Sequence, residues 1–339
     1  MLGQQMNAVL AGQQLTAQEA GALEVAASPG DVMSRLRLLG YYFGQRPRNR
    51  GHVAHALWFI ETAPELDVIG TPFVQIDRSD PQYHAACEAW NRVLGRESLP
   101  PRVFLHAARF FTLADPDLCT QLLERGERAA PTWPEWAQQL GENGFRALEV
   151  SHKLVASGAS PKHTPEQLSA LAKEALGHFE RALSLAPSAG RRFSILPSCA
   201  KAALGCGQLD DALRYADATI ALAPECREDR HVHDRTHEAH IVRGHVALIN
   251  GDVGRARSEL AIAGEQGRLH APVLRSFGPD VRLAQRLLEA DELDAVRAYL
   301  EQCATFWKPD RIRRWLDAIA RGERPRLFTG YDPSERVRA

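Results

Sequence analysis

The 339-residue chain has 45% hydrophobic and 24% charged residues, which excludes wholesale disorder, collagen and low-complexity architectures and calls for a packed core, in two domains or one elongated array. Its 41 basic and 42 acidic side chains nearly cancel, so no global positive field draws it onto nucleic acid, and no nucleic-acid partner is expected. No apolar run approaches the roughly 20 residues of a membrane helix, so no membrane partner is expected either.

Six scattered cysteines with no CxxC spacing read as free thiols. With no basic and then apolar leader at the start, they point to a cytoplasmic setting. Basic residues are 36 arginines and five lysines, a bias of genome composition more than of function.

Residues 1–15 are expected to form a flexible N-terminal tail. Thr16, Ala17, Gln18 and Glu19 make a capping box, so the first helix is expected to start at Thr16. A block of helical repeats is then expected over 16–140. Leu39, Gly40, Phe43, Ala56, Ile60 and Pro64 set small and large apolar positions at helical spacing ahead of a proline, and Ala107, Phe110, Cys119, Leu123 and Pro131 do so again. Between them 66–81, with Val68, Ile69, Phe73, Val74 and Ile76 among two prolines and three aspartates, breaks the rhythm and reads as an ordered loop crossing the repeats. A second block is expected over 141–327, after which 328–339 is a tail. It contains a Gly/Ser/Pro loop at 156–165 and a closing helix at 311–321 with Asp310 as its N-cap.

The clearest copy of the repeat is Ala175, Phe179, Ala182 and Pro187. It resembles the second helix of a tetratricopeptide repeat, which wants an alanine, an aromatic, an alanine and a proline at these spacings. Further copies are carried by Ala200, Gly207, Ala212, Ile220 and Pro224, and by Gly244, Gly251, Ala256, Leu260 and Ala263. Small residues let paired helices approach closely, and a glycine permits the tight turn between them. The region 190–327 is also similar to bacterial tetratricopeptide-like proteins in Phe193 to Pro197, Ser276 to Pro279, Leu283, Leu287, Cys303, Phe306 and Trp307. The resemblance implies an all-α, right-handed α-solenoid of antiparallel helix pairs. It implies no activity and no catalytic residues.

No glycine precedes a lysine, no GxGxxG follows a strand-like run and no GxSxG occurs, so phosphate-loop, dinucleotide and serine-hydrolase chemistry lack a motif. Histidine is the one polar type that clusters. His231, His233, His237, His240 and His245 fall within fifteen residues. His237 and His240 share a helical face, and His231 and His233 are near enough to fold back, so these four are candidate metal ligands. The spacing is not that of HExxH, however, and the favoured reading is a metal-free, solvent-exposed part of a groove, with no cofactor. The basic turn at 46–52, the cationic excess at 308–338 and the Glu149/His152 pair read as solvated surface. A carboxylate clamp of the kind that holds chaperone tails finds only Lys201, with Pro197, Ser198, Ile241, Val242 and His245 at the other clamp positions.

Two functions follow. In the first, a non-enzymatic scaffold binds a peptide or protein partner in a concave groove lined by the first helix of each repeat, with Arg37, Arg109, Lys201, His237, His240 and Arg243 as contacts. In the second, an enzyme on a helical solenoid uses the His231–His245 cluster, with metal or as acid and base.

Overall fold

The computed structural model describes residues 2–26, 30–45, 50–156, 160 and 163–329. Among these the protein is all-helical, with seventeen α-helices and no strand. None of these helices is long and apolar enough to cross a membrane. The chain divides into two compact units, Met1–Thr132 and Trp133–Ala339. A boundary at 140/141 would cut the helix Pro134–Ala156 in two, so the division lies one helix-start earlier than expected.

The first unit holds α1 (Leu2–Gly12), α2 (Ala17–Ala26), α3 (Val32–Gly44), α4 (Arg50–Thr62), α5 (Tyr83–Leu94), α6 (Pro101–Phe111) and α7 (Pro116–Ala129). Helix α1 corrects the expected flexible tail at 1–15. Its Val9 is fully buried, and it packs on α3 at backbone contact. A β-carbon on Gly12 would sit 1.9 Å from the Arg37 carbonyl oxygen, and one on Gly40 would sit 1.9 Å from that of Val9. Two glycines, one per helix, thus leave room for the pair to meet this closely. The Thr16–Glu19 capping box forms, with Oε2 accepting the Thr16 N–H at 2.8 Å and Oγ1 accepting the Glu19 N–H at 3.3 Å; it opens the second helix.

The 66–81 segment is an ordered loop, as expected, with 3-10 turns at Asp67–Gly70 and Pro72–Val74 and buried Val68, Ile69, Val74 and Ile76. Buried loop backbone needs partners. Gln5 Oε1 accepts the Val68 N–H at 3.0 Å, and rings of His52 and His106 bond the carbonyls of Phe73 and Pro64 at 2.7 and 2.8 Å. In the basic turn at 46–52, residues 46–49 lie outside the described residues, and His52 is a buried loop anchor.

The second unit holds α8 (Pro134–Ala156), α9 (Pro165–Ser184), α10 (Ala189–Gly205), α11 (Leu209–Leu222), α12 (Val232–Ile249), α13 (Val253–Arg268), α14 (Pro272–Phe277), α15 (Arg282–Glu289), α16 (Leu293–Ala304) and α17 (Pro309–Ala320). From α8 to α13 each helix packs on the next, and α16 then packs on α13, α15 and α17. Ala175, Phe179, Ala182, Ala212, Ala256 and Leu260 are buried as expected. One turn geometry recurs: Gly207, Gly251 and Asp291 have φ of +78°, +80° and +62°. The residue after each donates its N–H five residues back, Gln208 to Ala203, Asp252 to Ala247 and Glu292 to Leu287, at 2.9, 2.9 and 3.0 Å. This left-handed helix ending reverses the chain after α10, α12 and α15. The closing helix starts earlier than expected. Pro309 takes its first position after Lys308, and Asp310 sits inside the first turn, paired with Arg313 at 3.3 Å, and is not the N-cap. In the 156–165 loop, residues 157–159, 161 and 162 lie outside the described residues, as do 330–339.

Candidate functional site

In the second unit α8 packs beside α10, α10 beside α12, and α12 beside α15. Each turns a stripe at helical spacing toward a common hollow. The stripes are Phe145 and Leu148 on α8; Lys201, Leu204 and Gly205 on α10; Glu238, Ile241, Val242, His245 and Ile249 on α12; and Arg282, Gln285, Arg286 and Glu289 on α15. They bound a cavity of about 570 Å³. A second, of about 520 Å³, adjoins it, shares Glu238, Asp280, Arg282 and Leu327 with it, and reaches Phe277, Gly278 and Trp307. The floor is apolar, from Phe145, Leu148, Ile241 and Val242, all buried.

The walls carry paired charge. Lys201 Nζ lies 2.9 Å from Glu238 Oε1. Burial works against the ammonium, but Glu238 and Glu149 hold its pKa above the ordinary value. Asp280 lies just before α15, accepting the Arg282 N–H at 3.0 Å and the guanidinium Nε at 2.9 Å. Burial alone would raise its carboxyl, and the Arg282 charge outweighs burial and holds it well below the usual carboxylate range. The Tyr299 hydroxyl donates to the Asp280 carbonyl at 2.9 Å. Gly278, at φ +97°, packs where a β-carbon would meet the Trp307 ring at 2.7 Å. The Ser276-to-Pro279 motif is thus a fixed corner of the hollow. Arg286 and Arg326 are exposed at its edge, and Arg286 Nη1 approaches His245 Nδ1 at 3.4 Å.

The expected contact residues separate. Lys201 lines the hollow. Arg37 and Arg109 belong to the first unit, the latter with its guanidinium against the backbone of the 66–81 loop, where a β-carbon on Gly70 would meet Nη1 at 2.8 Å. Arg243 points between α11 and α13, 3.1 Å from Asp217 Oδ1 and 2.8 Å from Glu259 Oε1.

The histidines correct the expectation of an exposed, polar part of the groove. His237 is 1% and His240 8% exposed. His237 Nδ1 bonds the Ala263 carbonyl at 2.9 Å, and its Nε2 accepts the Asp280 N–H at 3.2 Å; burial lowers its pKa. His240 Nδ1 bonds Glu259 Oε2 at 2.7 Å. Burial would raise Glu259, and the His240 hydrogen bond with the Arg243 charge holds it lower than usual. His231 turns to Asp234 and His233 to Gln266, each at 3.0 Å. Asp234 in turn accepts the Val273 and Leu274 N–H groups at 3.1 Å. Four rings therefore go to four different partners. Among the described residues no group of three or more His, Cys, Asp or Glu side chains is placed to hold a metal ion. The side chain of His152, expected partner of Glu149, lies outside the described residues.

The expected contacts on α12 and the residues of α12 that line the first cavity lie on different stripes of the helix. His240 and Gly244 face α13 and α15, His237 bonds α13 and also lines the second cavity, and 238, 241, 242, 245 and 249 line the first. The signal was present in the mixture of Glu238 and His245 with Ile241, Val242 and Ile249 at that spacing. No protein-family model matches the chain, and no curated protein is significantly similar to it.

Proposed function

We propose that the protein is a non-enzymatic scaffold of tetratricopeptide-like, antiparallel helix pairs in a right-handed α-solenoid, and that the hollow of the second unit binds an extended segment of a protein or peptide partner. The observation that carries this reading is the hollow itself: four helices each contribute a stripe, the floor is apolar, and the wall carboxylates Glu238 and Asp280 are already matched by Lys201 and Arg282. Such a surface accepts apolar side chains and offers polar groups for peptide backbone, which suits recognition of a segment. The recurring turn at Gly207, Gly251 and Asp291 supports the repeat. A cytoplasmic setting belongs to the same proposal, supported by six free cysteines, four of them buried. The enzyme reading depended on histidines converging in one site, and it loses that support.

Two exposed isoleucines test the location. Ile249 (45% exposed) edges the hollow, and Ile262 (39% exposed) lies on α13 outside its lining. For peptides selected from a random library against the whole chain, Ile249→Arg is expected to weaken binding roughly tenfold, as loss of an apolar anchor does, while Ile262→Arg leaves it unchanged. Equal effects would refute the assignment.

A further inference from the structure

Beyond α17, residues 323–329 follow a non-helical path back over the hollow. Leu327 is 2% exposed and lines both cavities, so it stands between them. Its N–H donates to Gln285 Oε1 at 2.8 Å, and the next carbonyl, that of Phe328, accepts Arg311 Nη1 at 3.1 Å. Phe328 itself lines the second cavity. Outside the hollow, Arg324 pairs with Asp291. An apolar side chain in a pocket, flanked by side-chain hydrogen bonds to backbone, is how a groove holds an extended peptide. Here the peptide is the chain's own.

We propose that residues 324–329 are a built-in competitor for the groove, and that the partner is an extended segment whose aliphatic residue, followed by a large apolar one, replaces Leu327 and Phe328. This rests on the reading of the hollow as a peptide groove. Removing Leu327 from its seat joins two cavities that already share Glu238, Asp280 and Arg282. A tethered competitor acts at an effective concentration on the order of millimolar. A free segment of equal intrinsic affinity therefore binds the unmodified chain only in that range, and binds more tightly once the tethered one is weakened.

The test is titration of a labelled heptapeptide, Glu-Arg-Pro-Arg-Leu-Phe-Thr, into the full chain and into its Leu327→Ala variant. The expected result is binding to the variant roughly tenfold or more tighter than to the unmodified chain, and to neither when the peptide's leucine is replaced by alanine. Because Leu327 is buried, a second measurement uses the unmodified chain alone. Millimolar heptapeptide is expected to speed amide hydrogen exchange over 324–329 severalfold while α8 to α16 keep their protection. Equal affinity for both chains, binding to neither, or unchanged exchange at 324–329 would overturn the proposal. The groove reading fails separately, on the response of library-selected peptides to Ile249→Arg.

Discussion

His237 and Asp280 are joined through the backbone: the Asp280 N–H donates to His237 Nε2 at 3.2 Å while Nδ1 faces the Ala263 carbonyl at 2.9 Å. One ring therefore accepts on one nitrogen and donates on the other, which fixes the neutral Nδ1–H tautomer and ties the corner before α15 to α13. His237→Ala would leave a buried donor and a buried acceptor unpaired and open a cavity. A loss of about 2–4 kcal/mol is expected in urea unfolding. Elemental analysis of untagged protein is expected to find no stoichiometric zinc, iron or copper.

Acidification is expected to weaken both units before the carboxylates titrate. Burial lowers the pKa of His106 to about 4, against an ordinary value of 6.5, and lowers that of His237 in the same direction. Between those values the unfolded chain binds more protons than the folded one, so stability is fully present above pH 6.5 and falls as pH drops toward 4 for His106. Each group contributes at most about 1.4 kcal/mol per pH unit. Urea midpoints measured from pH 7.5 to 5 should decline, and His106→Asn should flatten the decline for the first unit. An unchanged slope would exclude His106 as a source.

Gly244 sits at a tight seam of the second unit, where a β-carbon would come within 2.2 Å of Leu283 Cδ2. Gly244→Val is expected to cost about 1–3 kcal/mol by overpacking. Combining it with Leu283→Ala should recover part of that loss, a non-additivity of about 0.5 kcal/mol or more in a double-mutant cycle.

Lys201 and Arg243 should separate binding from folding. Arg243→Ala removes a cation from the buried Glu259 carboxylate, whose other partners are His240 and, at 3.7 Å, Arg255. It is expected to lower the unfolding free energy by about 1–3 kcal/mol with unchanged peptide affinity. Lys201→Ala, in the hollow, is expected to alter peptide affinity severalfold. Affinity lost in Arg243→Ala at full folding would place the ligand on the wrong side of α12.

The helical class, the alanine seams at Ala175, Ala182, Ala212 and Ala256, and the glycine turns at 207 and 251 were legible because each is a local demand of size or φ. Asp291 hid the third turn, since it takes the left-handed conformation with a side chain that does not announce it. Helix α1 was hidden because its two glycine contacts lie on helices far apart in sequence. Of the candidate site, a groove face was legible and, among its lining residues, Lys201 and His237. A histidine count points to 237 and 240, but which side of α12 meets α15 is set by Gly244 against Leu283 across 39 positions. Asp280, Arg282 and Leu327 come from a corner and a returning segment that periodicity does not reach.

The most direct measurement of the central claim is photo-crosslinking of a library-selected peptide to full-length protein carrying benzophenone at position 249 or, separately, at 262. A groove on the α8, α10, α12 and α15 face predicts efficient crosslinks from 249, competed by excess unlabelled peptide, and none from 262. Crosslinks from 262 with none from 249 would contradict it.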